Sequence, residues 1–346
     1  MVLEQISSVA DNDHPLQLRE LPEPVAGEGG ILIRVAACGV CHTELDEIEG
    51  RLPPPRLPVI PGHQVVGRVA AIGSHDAQGL LKRSGLRVGD RVGVAWINSA
   101  CGSCEFCCSG RENLCADFKA TGLDTHGGYA QYLSVRGDFA HRLPDALTDV
   151  EAAPLLCAGA IGYRSLSLAN LQDGQTLGLT GFGASAHLVL ALARHRYPHS
   201  PVVVFARSPE ERAFALELGA VWAGDTRDRP PQPCAAIIDT TPAWTPVAEA
   251  LKNLQAGGRL VINAIRKESA DQSVLLELDY PEQLWREKEI KSVANVTRRD
   301  VREFLQLAAE IPLRPEVACY PLDEANRALV ELKRSHVRGA KVLVIG

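Results

Sequence analysis

The sequence predicts an α/β protein: a strand-rich first part, then a doubly wound parallel sheet with helices on its faces. Three observations carry this. Short apolar runs punctuated by glycine turns and prolines fill roughly the first 150 residues. From Asp173 onward, strand-like and helix-like segments alternate. Between the first such strand and helix stands "TGFGASA", a glycine-rich turn of the kind that cradles phosphate.

Taken in order, "ILIRVA" (31–36), "VVGRVAAIG" (65–73) and "RVGDRVGVAW" (87–96) read as strands, because β-branched residues dominate and glycines bound them. Prolines crowd 53–61. The spacer "SHDAQGLLKRSG" (74–85) reads as a surface loop. After Asp173, "QTLGLTGF", "PVVVFARS", "CAAIIDTT" and "RLVINAI" read as strands. Between them "ASAHLVLALARHR", "PEERAFALELGA" and "PVAEALKNLQAGG" read as helices. Helices are expected at 301–310 and 323–334, and "AKVLVIG" closes the chain as a strand. There is no internal repeat and no low-complexity tract.

At 346 residues the chain suits two domains. Its 46% hydrophobic and 23% charged residues are those of an ordinary globular protein. A net charge of −6 offers no electrostatic attraction to nucleic acid or an anionic membrane. No apolar run is long enough to span a bilayer, and the start lacks the basic-then-apolar pattern of a secretion signal. The expectation is a cytoplasmic protein with reduced thiols, in which clustered cysteines point to metal before disulfide.

"CGSCEFCCSGRENLC" holds five of the ten cysteines. Cys101, Cys104, Cys107 and Cys115 stand at C-x2-C-x2-C-x7-C, where two-residue gaps let tight turns aim sulfurs at one tetrahedral zinc. Four thiolates would leave no open position, so the site is structural. An iron–sulfur cluster and free loop thiols are the weaker alternatives. Cys108 is spare.

In the alternating half, Gly181, Gly183 and Ala186 occupy the G-x-G-x-x-G/A positions between strand and helix. The first glycine makes the turn, the second lets backbone approach a pyrophosphate, and the small third residue permits close packing. The next strand ends in Ala206, Arg207 and Ser208, with no acid before Glu210. An acid there would bind the ribose hydroxyls of NAD, whereas Arg207 and Ser208 suit the 2′-phosphate of NADP. NADP is the expectation. The alternative is NAD, with Arg207 merely solvated.

Cys41, His63 and Cys157 are candidates to meet on a second metal with an open fourth position for an alcohol oxygen, although spacing alone does not single them out. His126, His187, His195, His199 and His336 lack ligand spacing and read as exposed or capping. Cys38, Cys234 and Cys319 lie in apolar runs and read as core, and "REKEIK" reads as a solvated stretch.

The stretches "GVCHTELD", "PVIPGHQVVGRV", "GDRVGVAWINSACGSCEFCCSGRENLC", "GGYAQY", "PLLCAG", "TGFGASA" and "GAKVLVIG" resemble, in order, the zinc-dependent alcohol dehydrogenases of the medium-chain dehydrogenase/reductase superfamily. The resemblance spans almost the whole chain. It implies a GroES-like catalytic domain (1–155 and 297–346) interrupted by a Rossmann domain (156–296). It implies two zinc ions: catalytic on Cys41, His63 and Cys157, structural on Cys101, Cys104, Cys107 and Cys115. Thr43 matches the hydroxyl that takes the substrate proton, Trp96 an aromatic wall of the alcohol pocket, and His42 a basic residue near the cofactor phosphates. A homo-oligomer, dimer or tetramer, is expected by the same analogy.

Several positions depart from the family pattern. Gln64 replaces the usual Glu after the ligand histidine, making the metal surroundings less negative. Glu44 replaces Asp as the residue that orients His63. Asp46 stands where a relay histidine is common. Ile161 replaces a threonine that contacts the nicotinamide. Lys341 is the nearest match to a phosphate-binding arginine, with the charge but not the fork. The function implied is NAD(P)-dependent interconversion of small alcohols with aldehydes or ketones. The alternatives are a zinc-free quinone-reductase-like or non-catalytic NADP-binding member of the superfamily, and a zinc-stabilised nucleic-acid binder, which the acidic charge disfavours.

Overall fold

A computed structural model describes residues 1–74, 76, 79–311, 313–334 and 339–346. The chain forms two compact units, Met1–Cys157 with Val296–Gly346, and Ala158–Asn295. His336 lies outside the described residues.

The first unit is built on a seven-stranded sheet. Its centre is Gly30–Val40, whose eleven residues are almost all buried. That strand pairs antiparallel with Val65–Ile72, Tyr132–Arg136 and Ala340–Val344. A near-continuous apolar sequence suits a strand covered on both faces. Register shifts between Leu32/Ile33 and Val35/Ala37 bend it. The strand thereby ends at Val40, one residue before Cys41. Between the antiparallel pair Ile97–Ser99 and Lys119–Ala120, the chain makes an excursion that holds the cysteine-rich stretch.

The second unit carries six parallel strands in the order Trp222–Gly224, Val202–Phe205, Leu177–Thr180, Cys234–Asp239, Leu254–Ile262, Glu289–Ser292. Chain order reverses between Leu177–Thr180 and Cys234–Asp239, the place where open α/β sheets bind ligands beyond their strand C-termini. Helix Ala184–Arg196 ends on Arg194, His195 and Arg196, which complement its dipole. Helix Pro209–Glu217 begins on Ser208, whose hydroxyl accepts from the Glu211 amide, with Pro209 in its first turn.

Four local expectations change. Helix Thr245–Asn253 stops before "LQAGG", which enters strand Leu254–Ile262 instead. Glycine is unfavourable in a helix interior, and Leu254–Ile262 pairs instead with Cys234–Asp239 and Glu289–Ser292. Within 74–85 a short helix, Leu80–Ser84, buries Leu80 and Leu81. The helix expected from 301 starts at Arg298, because Thr297 and Asp300 form a reciprocal cap. Cys319 is exposed, since its strand Val317–Pro321 lies at the sheet edge.

Candidate active site and metal centres

Cys41 is the extended residue that precedes helix His42–Ile48. Its amide donates to Glu44 Oε2 at 2.7 Å. The other carboxylate oxygen of Glu44 lies 2.5 Å from His63 Nδ1. One buried carboxylate therefore ties the helix start to the imidazole and leaves Nε2 as the free ligand nitrogen. Cys157 arrives from far along the chain, in a wide π-type turn at Leu155–Gly159 between two helices. Such turns are common at functional sites. The ligand atoms of Cys41, His63 and Cys157 lie within 4.8 Å of one another.

Burial and mutual contact perturb all three groups of the trio, and the lowered Cys41 thiol is the one that suits a cation. A hydrogen bond from Cys157, aided by His63 and against the cost of burial, holds the Cys41 thiol well below its ordinary range. Cys157 is pushed up, first by that shared bond and then by burial. Burial lowers the basicity of His63, but the Glu44 charge and the Cys41 thiolate outweigh it and hold the imidazole up. Two soft sulfurs and one imidazole are a zinc donor set with one position left over. The residues present fit that ion.

Thr43 sits beside the trio, its Oγ1 3.7 Å from Cys41 Sγ. Asp46 accepts from Arg51 Nε at 2.6 Å. Gln64 is buried against Gly39, where an added Cβ would fall 2.2 Å from Gln64 Oε1. Trp96 packs on Phe118 with ring centroids 5.6 Å apart, and its indole nitrogen finds no partner among the described residues. His42 is exposed.

Sequence reasoning passed over Glu47. It is buried with no partner for either carboxylate oxygen among the described residues. Burial, and next the Glu44 charge, push its carboxyl well up. Glu44, Asp46 and Glu47 are three buried acids on one seven-residue helix, a burial that the sequence does not signal.

The four-cysteine lobe is equally convergent. The sulfurs of Cys101, Cys104, Cys107 and Cys115 lie within 4.8 Å of one another. Cys104 caps helix Glu105–Cys108, and the Cys104 amide donates to Cys101 Sγ at 3.3 Å. Backbone amides of Ser103 and Cys104 bring the Cys101 thiol down to about 6, while burial pushes Cys107 up to about 12. Gly102 and Gly110 take φ +79° and +68°, left-handed turns that let the loop curl around one point. Cys108 is exposed and outside the cluster.

In the second unit, Gly181 takes φ +73°, and a Cβ there would meet Thr241 at 2.9 Å. A Cβ on Gly183 would meet nothing within 4 Å, so the turn is open on that side to a phosphate. Ala186 is fully buried in the first turn of helix Ala184–Arg196. These residues fit a dinucleotide. Arg207 is exposed, and Ser208 both caps its helix and donates to Glu210 Oε2 at 2.5 Å. Ile161 lies in helix Ala160–Leu168. Lys341 is 4% exposed, and its ammonium donates to Tyr320 Oη at 2.6 Å and Glu331 at 2.8 Å. That ammonium is held by partners inside its own unit.

Three further histidines take ordinary roles. His126 accepts from the Ile60 amide, the His187 ring bonds Gly183 O, and His199 pairs with Asp173. Cys38 and Cys234 are core.

Residues 27–145 match the alcohol dehydrogenase GroES-like domain. The chain is 44% identical to a probable alcohol dehydrogenase, AdhA, of Mycobacterium tuberculosis, covering 94% of this chain and 91% of that one. It is 32% identical to an alcohol dehydrogenase of Geobacillus stearothermophilus, covering 95% of each. Among solved structures, a cinnamyl alcohol dehydrogenase of Sorghum bicolor superposes with a TM-score of 0.80 at 26% identity, over 99% of this chain and 97% of the other.

Proposed function

Because this chain belongs to the zinc-dependent alcohol dehydrogenases of the medium-chain dehydrogenase/reductase superfamily, we propose that Cys41, His63 and Cys157 hold its catalytic zinc. The chain is an NAD(P)-dependent oxidoreductase that interconverts alcohols with aldehydes or ketones. The convergence of three ligand atoms within 4.8 Å carries the site assignment. The bound groups would supply a Lewis acid for the substrate oxygen and a hydride carrier.

The residues of the chain do the rest. Thr43 Oγ1, beside Cys41, takes the hydroxyl proton of the alcohol. Glu44 fixes the tautomer of His63 with Nδ1 protonated, so that Nε2 presents its lone pair. Gln64 fills the space behind the site without adding a charge. Trp96 walls the alcohol pocket, which suits modest apolar substrates. Asp46, paired with Arg51, is the group in this reading that passes the proton toward solvent. Cys101, Cys104, Cys107 and Cys115 hold a second, structural zinc, making two per chain.

Gly181, Gly183 and Ala186 receive the pyrophosphate, with His42 a further cation near the phosphates. NADP is favoured because strand Val202–Phe205 ends without an acid and Arg207 is exposed there. One observation favours NAD: Ser208 is tied to Glu210, a carboxylate able to accept ribose hydroxyls. A homo-oligomer, dimer or tetramer, belongs to the same reading. The exposed Leu276, Tyr280 and Trp285, in the segment leading to the outermost strand Glu289–Ser292, support it, and sedimentation measures it.

The test is a steady-state panel of alcohols and aldehydes with both dinucleotides, run beside Cys157→Ala. The variant is expected to lose turnover and one zinc per chain while keeping dinucleotide affinity. Undiminished turnover removes Cys157 from the ligand set, and a clear preference for NAD overturns the reading of Arg207.

A further inference from the structure

Beneath the glycine turn lies a buried charged network that the reaction scheme does not use. Thr180 and Asp239 end the two central strands and stand in register across the point where chain order reverses. Thr180 Oγ1 donates to Asp239 Oδ1 at 2.5 Å, and Thr241 Oγ1 donates to the same oxygen at 2.8 Å. Lys267, from the loop after strand Leu254–Ile262, donates to Asp239 Oδ2, to Thr241 O at 2.7 Å and to Ala243 O at 3.0 Å. The Asp239 side chain is 0% exposed and that of Lys267 is 8% exposed. Thr240 bonds back to Thr180 O through both its amide and its hydroxyl. Thr240 and Thr241 are the residues against which Gly181 packs, with room for no Cβ between them.

We propose that Lys267 and Asp239 form a positioning pair for the dinucleotide, holding Thr240 and Thr241 under the Gly181 turn and cancelling a buried negative charge beside the phosphate site. The carboxylate is needed as the acceptor that gathers Thr180 and Thr241. Left alone, it would repel a polyanion through low-dielectric protein, where screening is weak. Lys267 is the counter-charge that makes the carboxylate tolerable there. The pair touches neither substrate nor reacting atoms, so it acts on dinucleotide affinity and not on the chemical step.

This inference rests on dinucleotide binding by this unit, so the wild-type dissociation constants for NADPH and NADH are measured first, by calorimetry without substrate. If the wild type binds neither, the proposed function fails, not this inference alone. Lys267→Met is expected to weaken dinucleotide binding at least tenfold, more for NADPH than for NADH, with the loss persisting at high salt because the uncompensated carboxylate charge is buried. Asp239→Asn leaves the cation in place and is expected not to weaken binding. Asp239→Asn combined with Lys267→Met is expected to bind within about threefold of wild type, because the amide oxygen still accepts from Thr180 and Thr241 and no uncompensated buried charge remains. Thermal melting without cofactor is read in parallel. A Lys267→Met protein that melts earlier but binds normally overturns the inference, since the pair would then be structural only. Should Lys267→Met fail to fold, the double variant decides. Binding near wild type supports the charge argument, and binding tenfold weaker overturns it.

Discussion

Glu44 meets two demands with one carboxylate: it accepts the Cys41 amide and orients His63. Its burial pushes the carboxyl up, while the adjacent imidazole pulls it back down. Glutamate reaches both partners because it caps its own helix from the third position and His63 is brought alongside. Glu44→Ala is expected to cut metal affinity and turnover by about 10–100-fold, the usual cost of removing the carboxylate behind a ligand histidine. Chelator competition measures the first and steady-state kinetics the second. Glu44→Gln should recover part of the loss, because an amide oxygen still accepts from Nδ1. Full loss in Glu44→Gln would show that the charge, not the orientation, matters. At this scale the sequence was informative where chemistry is encoded in a residue type. It was silent on Glu47, because an acid on an amphipathic helix reads as solvent-facing until packing is known.

The cysteine lobe shows what an element can do without an apolar core of its own. Cys104 caps a four-residue helix, and Gly102 and Gly110 turn the chain, so the sulfurs converge through local geometry. This is why the spacing alone named all four residues. A helix so short has no stability of its own, and a bound ion would replace the missing core. Cys115→Ser is expected to leave one zinc per chain by elemental analysis and to lower the melting temperature. Retention of two zinc ions would remove Cys115 from the ligand set. In the second unit, the glycine turn was legible because its backbone demands are strict. The helix end at Asn253 was not, because "LQAGG" belongs to a strand whose partners, Cys234–Asp239 and Glu289–Ser292, lie outside that segment.

For the whole molecule, a buried histidine contributes to how stability depends on pH. His141 is buried on the strand Ala140–Arg142, and burial, with Arg302 and Arg298 adding to it, takes its pKa from 6.5 down to about 3. A depressed folded pKa means the unfolded chain gains the proton first. The stabilisation is therefore present above pH 6.5 and lost progressively as pH falls from there toward 3. At pH 5 the loss is about 2 kcal/mol for a group of this kind. His141→Gln is expected to flatten that part of the acid limb in denaturant titrations at pH 7 and pH 5; an identical slope would refute the assignment. The architecture itself was readable in one dimension, since strand–helix alternation and glycine turns are consequences of local periodicity. So were the four-cysteine cluster and the glycine turn, whose residues are neighbours in the chain. Three-dimensional packing alone brought Cys157 to Cys41 and His63, committed Lys341 to Glu331, and set Lys267 on Asp239. Each of these depends on contacts between residues distant in sequence, and a side chain's partner, unlike its local conformational preference, is set by where the rest of the chain folds around it.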